Sequence, residues 1–202
     1  MNPGEREMAL FHAINRMAGD HWLLDWVARA FVGDYFVPVV LSLSLLALWF
    51  AAKTAYRRER QQRAVIAGAI AVAIANMAVV ILNGTEWALR PRPFDIDPHA
   101  ARSAVALFYA PPDPSFPSNS MAVGFALAVS IVRVNRPFGI AMGLIATLMG
   151  VSRVYAGVHF PVDIVAGAAI GSLASLLAIT LLRFMEPVTA GILRLAQRLY
   201  IA

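Results

Sequence analysis

The 202-residue chain contains no cysteine, which excludes a disulfide framework, a thiolate metal site and a cysteine nucleophile. Charge is scarce as well. Asp, Glu, Lys and Arg together make up 14% of the residues, against about 25% in soluble globular domains, and Lys53 is the only lysine. The charge that remains leans positive, with a net of +5 and a pI near 10.2. These cations form no stripe along a soluble face but sit between apolar runs, so the footprint of a nucleic-acid partner is missing. The basic balance fits orientation in a membrane and contact with phosphate.

What the chain does have is apolar length. Apolar residues make up 59%, compared with about 45–50% in soluble domains, and Trp and Tyr gather near the ends of apolar runs, where amphipathic rings favour the membrane–water boundary. A helix needs about 20 largely apolar residues to span the hydrocarbon core. Five segments qualify, residues 35–52, 64–82, 120–135, 138–156 and 162–182, and Gly and Ala recur in them, as where membrane helices pack closely. The expected architecture is one all-α integral membrane domain with a transmembrane bundle over 35–182.

In residues 1–34, Leu10, Phe11, Ile14 and Met17, then Leu23, Leu24, Trp26 and Val27, recur at helical spacing with charges between them. This predicts amphipathic interfacial helices, with no signal-peptide pattern. A C-terminal surface helix is predicted over 183–202. Lys53, Arg57, Arg58, Arg60 and Arg63 assign loop 53–63 to the cytoplasmic face of the cell (inner) membrane. Counting crossings then puts the long loop 83–118 and the turn 152–161 outside, with Arg133, Arg136, Arg183, Arg194 and Arg198 inside. Arg90, Arg92, Arg102 and Arg153 break the charge rule on the outer side, and an anionic ligand explains such exceptions.

Three outer stretches carry reactive residue types: TEWALRPRPF (85–94), PSNS (117–120) and SRVYAGVHFPVD (152–163). Arg92 and Arg153 offer planar forks that match phosphate oxygens. Ser118 suits a helix N-cap, leaving the amides of Asn119 and Ser120 to point at an anion. His159 and Asp163 stand four apart across Pro161, a spacing for the first turn of a helix. There a carboxylate holds one ring nitrogen protonated and leaves the other free to attack. Together these groups suggest covalent phosphoryl transfer through a phosphohistidine.

The ordered set resembles the type 2 phosphatidic acid phosphatase superfamily, whose pattern runs Lys-x6-Arg-Pro, Pro-Ser-Gly-His and Ser-Arg-x5-His-x3-Asp. The third motif is complete as Ser152, Arg153, His159 and Asp163, Arg92-Pro93 matches the end of the first, and Pro117-Ser118 the start of the second. INRMAGDHWLLDWVARAF resembles the amphipathic start of bacitracin-resistance-type undecaprenyl-diphosphate phosphatases. The resemblance implies His159 as nucleophile, Asp163 as its orienter, Arg92, Arg153 and Ser118 as phosphate binders, and no metal. No cofactor is expected.

The departures are specific. Thr85 stands where the family has its lysine, with Arg90 or Arg102 as substitutes for its charge. Asn119 stands for the family's glycine and keeps the backbone donor. Ser120 stands for the general-acid histidine, and a hydroxyl does not donate a proton at neutral pH as imidazolium does. A phosphate leaving group tolerates that loss better than an alkoxide, which favours a lipid diphosphate. Substitute acids are Glu86, Asp95, Asp97, Asp113 and, by its ordinary pKa, His99. The expected function is a lipid phosphatase acting on a polyprenyl diphosphate or related lipid phosphate at the extracytoplasmic face. The alternatives are a lipid-phosphate binding or transport protein impaired in catalysis, and a phosphotransferase to a lipid or sugar acceptor. The expected partners are the lipid substrate and the bilayer, and the sequence sets no oligomeric state.

Overall fold

The structure is a computed structural model that describes residues 2–33, 35–86, 89–107 and 110–199. Trp87 and Ala88 of the first motif stretch, and Phe108 and Tyr109 of the long outer loop, lie outside the described residues. All regular structure among the described residues is helical. The helices are α1 (Pro3–Asn15), α2 (Trp22–Val32), α3 (Phe36–Ala51), α4 (Ala55–Asn83), α5 (Pro93–Ile96), α6 (Pro98–Ala106), α7 (Asn119–Val132), α8 (Arg136–Tyr155), α9 (Pro161–Phe184) and α10 (Glu186–Arg198).

The long helices start where polar side chains can satisfy the first amides. Thr54 accepts from the Arg57 amide ahead of α4, and Asn135 accepts from the Phe138 amide ahead of α8. α9 starts on Pro161, whose missing N–H costs nothing at that position. Three helices, α4, α8 and α9, are long and apolar enough to cross a membrane, and α2 with α3 makes a fourth if the pair, bent by 59°, is one span. The expected spans 64–82, 138–156 and 162–182 thus reappear at full length. Segment 35–52 forms the second limb of the bent pair, and 120–135 shortens to the 14-residue α7.

The surface is inverted relative to a soluble protein. In α4 and in α9 only 28% of the most apolar window is buried, and Met77, Val80, Ile81, Leu144, Val165 and Leu173 face outward. Such a surface is stable in lipid, and the chain is an integral membrane protein. Inside, small residues replace large ones: Ala71, Ala75, Ala122, Ala126, Ala174 and Ala178 form a seam between α4, α7 and α9. A Cβ at Gly167 would overlap the Ser118 carbonyl, and one at Gly171 the Ala122 carbonyl. This Gly-x3-Gly pair lets α9 lie backbone to backbone on α7. The two run in the same direction, since the Ser118 amide bonds the Asp163 carbonyl and Ser130 Oγ lies 2.8 Å from Ser175 Oγ twelve residues further along both helices.

The N-terminal helices dock on one end of this bundle. Phe11 is fully buried and packs at a tilt on Phe160, with 5.4 Å between ring centroids. Asn15 Nδ2 donates to the Tyr155 carbonyl at 2.8 Å, and the Tyr155 hydroxyl donates to Asp25 Oδ1 at 2.7 Å. Trp22 and Trp26 point away from the protein. α1 therefore covers the end of the bundle where the three motif stretches meet.

Candidate active site

The turn between α8 and α9 is set by its backbone. Gly157 has φ +77, the Val158 amide bonds the Arg153 carbonyl at 2.9 Å, and the Gly157 amide bonds the Val154 carbonyl at 3.0 Å. This is a Schellman termination of α8 with glycine at the left-handed position. It delivers His159 immediately before α9, with Arg153 one turn back on α8. Both side chains are buried.

The imidazole of His159 is held on two sides. Nδ1 lies 2.9 Å from the Ser115 carbonyl oxygen, and Nε2 lies 3.3 Å from Arg92 Nη1. A ring nitrogen facing a carbonyl carries the proton, so Nδ1 donates to Ser115 and the lone pair is on Nε2. The expected orienter, Asp163, is 3.6 Å from Nδ1 and makes no hydrogen bond to it. Its carboxylate instead accepts from the Ser115 hydroxyl and, at 2.8 Å, from the Phe160 amide. Arg90 Nη1 lies 3.4 Å from its other oxygen. Asp163 thus braces the segment that holds His159 rather than the ring itself. Burial foremost, with the cations of Arg92 and Arg153, pushes the His159 pKa down to about 4 against the pull of Asp163. The ring is neutral at pH 7.

Arg92 is buried in a cage of backbone oxygens. Nε donates to the Asp113 carbonyl at 2.8 Å, Nη1 to the Val158 carbonyl at 3.1 Å and Nη2 to the Pro114 carbonyl at 3.2 Å. The exposed Asp113 carboxylate closes the cage at 3.1 Å. A surface cavity of about 360 Å³ opens over this guanidinium, lined also by Arg90, Asp95 and Asp113.

Ser118 is the N-cap of α7 as expected, but its side chain makes no cap bond. Its Oγ is buried and unpartnered among the described residues. The first helical bond of α7 runs from the Ala122 amide to the Ser118 carbonyl, so the amides of Asn119, Ser120 and Met121 are left open, as at any uncapped helix start. Asn119 is exposed and Ser120 half-buried.

The structure thus brings Arg92, Ser118, Arg153, His159 and Asp163 to one end of the bundle, with Arg90 beside them and Ser152 buried on α8. Other candidates are held elsewhere. Thr85 donates its hydroxyl to the Leu82 carbonyl, and Glu86 is exposed on the turn after α4. His99 Nδ1 lies 3.1 Å from Asn15 Oδ1, and His99 and Arg102 line a separate cavity of about 330 Å³ with Asp25 and Arg29. Among the described residues His99 is thus engaged with Asn15 rather than with His159 or Ser120. Asp97 caps α6, accepting from the His99 and Ala100 amides. Arg90 is clamped by Glu7 of α1 at 2.8 Å and 3.1 Å and lies over the Phe160 ring at 3.8 Å. Sequence reasoning missed Ser115 and Glu7, and it offered Asp113 as an acid where the structure pairs it with Arg92.

A buried imidazole among arginines, beside an open helix start, is an arrangement suited to a phosphate ligand. The chain belongs to the PAP2 superfamily, whose profile matches residues 64–185. It is 28% identical over 163 residues to undecaprenyl-diphosphatase BcrC of Bacillus subtilis (strain 168), covering 77% of this chain and 73% of that protein. To the bacitracin transport permease protein BcrC of Bacillus licheniformis it is 27% identical over 176 residues, covering 87% and 80%. Aquifex aeolicus LpxE superposes with a TM-score of 0.61 at 25% identity, over 86% of this chain and 94% of that one. The PAP2 type phosphatidylglycerolphosphate phosphatase of Bacillus subtilis superposes with a TM-score of 0.61 at 23% identity, over 93% and 89%, a likeness of fold.

Proposed function

We propose that this protein removes the terminal phosphate of a polyprenyl diphosphate or related lipid phosphate at the extracytoplasmic face, through a phosphohistidine on His159. One observation carries the reading: His159 is buried and neutral, with its Nδ1 proton on the Ser115 carbonyl and its Nε2 lone pair beside Arg92. The Nε2 lone pair forms a bond to the terminal phosphorus while the bond from phosphorus to the bridging oxygen breaks, and lipid monophosphate leaves with that electron pair. Arg92, Arg153, the Ser118 hydroxyl and the amides of 119–121 take the equatorial oxygens. Water then attacks phosphorus as the bond from phosphorus to Nε2 breaks and its proton passes to solvent, releasing inorganic phosphate and restoring the imidazole. Phosphoryl transfer depends mostly on such positioning and charge stabilisation.

The diphosphate preference rests on Ser120 and agrees with the name of one relative, the undecaprenyl-diphosphatase of Bacillus subtilis. A phosphate leaving group departs without a proton, so a hydroxyl at position 120 suffices. The outward orientation of the site rests on the arginines of loop 53–63, with Arg133 and Arg183, at the opposite end of the bundle. Phosphate release from prenyl diphosphate, prenyl monophosphate and phosphatidic acid by native and His159→Ala protein in proteoliposomes tests the reading. Release from prenyl diphosphate, abolished by the substitution, is expected. Equal release by the two proteins would remove His159 as nucleophile. A second reading, binding of lipid phosphate without turnover, draws on the same Ser120. Its signature is affinity for prenyl diphosphate with no release by native protein.

A further inference from the structure

The end of the bundle away from His159 holds a second convergence of cations. Arg60 comes from α4, Arg133 from the end of α7 and Arg183 from the last turn of α9, and they line a hollow of about 320 Å³. The hollow follows from unequal helix lengths. Ser130 and Ser175 lie level, yet α7 ends at Val132 while α9 continues to Phe184, which carries α9 about 10 Å further at ~1.5 Å per residue. α4 also projects past α7, and the start of α10 walls one side.

The cations of this hollow are not balanced from within. Arg63 is satisfied by Glu59 at 2.7 Å and by Glu186 at 2.6 Å. Arg60, Arg133 and Arg183 make no ion pair among the described residues, and Arg60 only packs over the Tyr56 ring, 5.6 Å from its centroid. Arg133 and Arg183 suit the C-terminal ends of their helices, whereas Arg60, in the second turn of α4, gains no such support. Like charges drawn from three helices around one hollow repel unless an anion joins them.

The walls identify the anion. Deeper in the hollow the lining turns apolar, with Ala64, Ala67, Ile179 and Leu182. Next to it, Leu181 and Phe184 stand outward on α9, Phe184 at 83% exposure, as on a lipid-facing surface. A free phosphate would use the arginines and leave these walls bare, whereas a phospholipid uses both. We propose that this hollow binds the phosphate of an anionic glycerophospholipid from the leaflet at the arginine-rich end, with the glycerol and first acyl carbons against Ile179 and Leu182. The site is separate from the one at His159 and lies at the other end of the bundle.

The test uses full-length delipidated protein titrated with phosphatidylglycerol, with binding read by native mass spectrometry and by the shift in thermal unfolding. Arg133→Gln/Arg183→Gln is compared with Arg194→Gln/Arg198→Gln, which removes equal charge from α10 outside the hollow. The native protein and the α10 variant are expected to bind phosphatidylglycerol alike, and the hollow variant at least about tenfold more weakly, from lost charge-assisted contacts. Equal weakening in both double variants would reduce the effect to general surface charge and overturn the proposal. Inorganic phosphate or glycerol phosphate binding as tightly as the lipid would overturn it too, because the apolar walls would then contribute nothing. Should the hollow variant fail to fold, Arg60→Gln, at an exposed position, carries the same comparison against Arg194→Gln alone, with the same two outcomes.

Discussion

The Ser115 carbonyl oxygen, 2.9 Å from Nδ1 of His159, is the acceptor that fixes the imidazole. The same residue gives its hydroxyl to Asp163 and its amide to the Arg90 carbonyl at 3.0 Å. One buried serine therefore ties together the first and third motifs.

Ser115→Ala keeps the carbonyl and loses the hydroxyl, which leaves the Asp163 carboxylate short of a donor. A lost hydrogen bond to a charged group is worth about 1.5–3 kcal/mol. We expect kcat for lipid phosphate to fall roughly tenfold or more with KM little changed, and Tm to fall. An unchanged kcat would make Ser115 a packing residue only.

The buried position of His159 sets the acid limb of the rate. With its pKa near 4, the imidazole stays neutral as pH falls from 7 to 5, and the rate halves only near pH 4 rather than near ~6.5, where a free histidine titrates. Stability has the same sign. Between those two values the unfolded chain takes up a proton that the folded chain refuses, so stability declines as pH falls through that window. Arg92→Gln removes a cation beside the ring and should move the acid limb upward, as a pH–rate profile of residual activity will show.

Asp113 occupies the guanidinium proposed to take the substrate phosphate. Asp113→Asn removes a competing anion 3.1 Å from Arg92 Nη2 while leaving the backbone cage intact. A lower KM for lipid phosphate, by about two- to fivefold for a partly exposed pair, is the expected outcome of steady-state kinetics.

Gly157→Ala should damage both folding and activity. A left-handed residue with a Cβ costs about 1–2 kcal/mol, and the added carbon would stand 2.8 Å from the Ala100 Cβ and 2.9 Å from its backbone. Gly84, at φ −77 after α4, makes the control: Gly84→Ala should leave Tm and turnover nearly unchanged.

Much of this site was legible from the residues. The third motif gave His159, Arg153 and Asp163 at one turn, Pro161 marked the start of α9, and Ser118 read as an N-cap. What escaped shares a physical character. The Ser115 carbonyl and the cage around Arg92 act through main-chain oxygens, which every residue has and no pattern marks. Glu7 meets Arg90 across 83 positions of sequence, a distance over which side-chain spacing carries no signal. The packing of α2 on α8 also escaped, because the spacing of Leu23, Leu24, Trp26 and Val27 marks a helix without marking its partner.

Ser120→His restores the imidazole of the family pattern on the first turn of α7. General acid catalysis contributes about 10²–10⁴ in rate, so turnover of a prenyl monophosphate should rise by at least ~100-fold while that of the diphosphate changes far less. Parallel assays of the two substrates check the ratio, and equal gains on both would remove Ser120 as the source of substrate preference.

The open start of α7 has a further consequence. Its donors are main-chain amides at 119–121, placed by the contact of Gly167 with the Ser118 carbonyl, and no exchange of side chain at 119 or 120, proline excepted, deletes them. On the proposed mechanism, recognition and turnover are therefore separable: a chain can change its proton donor, or give it up, and still hold the same anion in the same place.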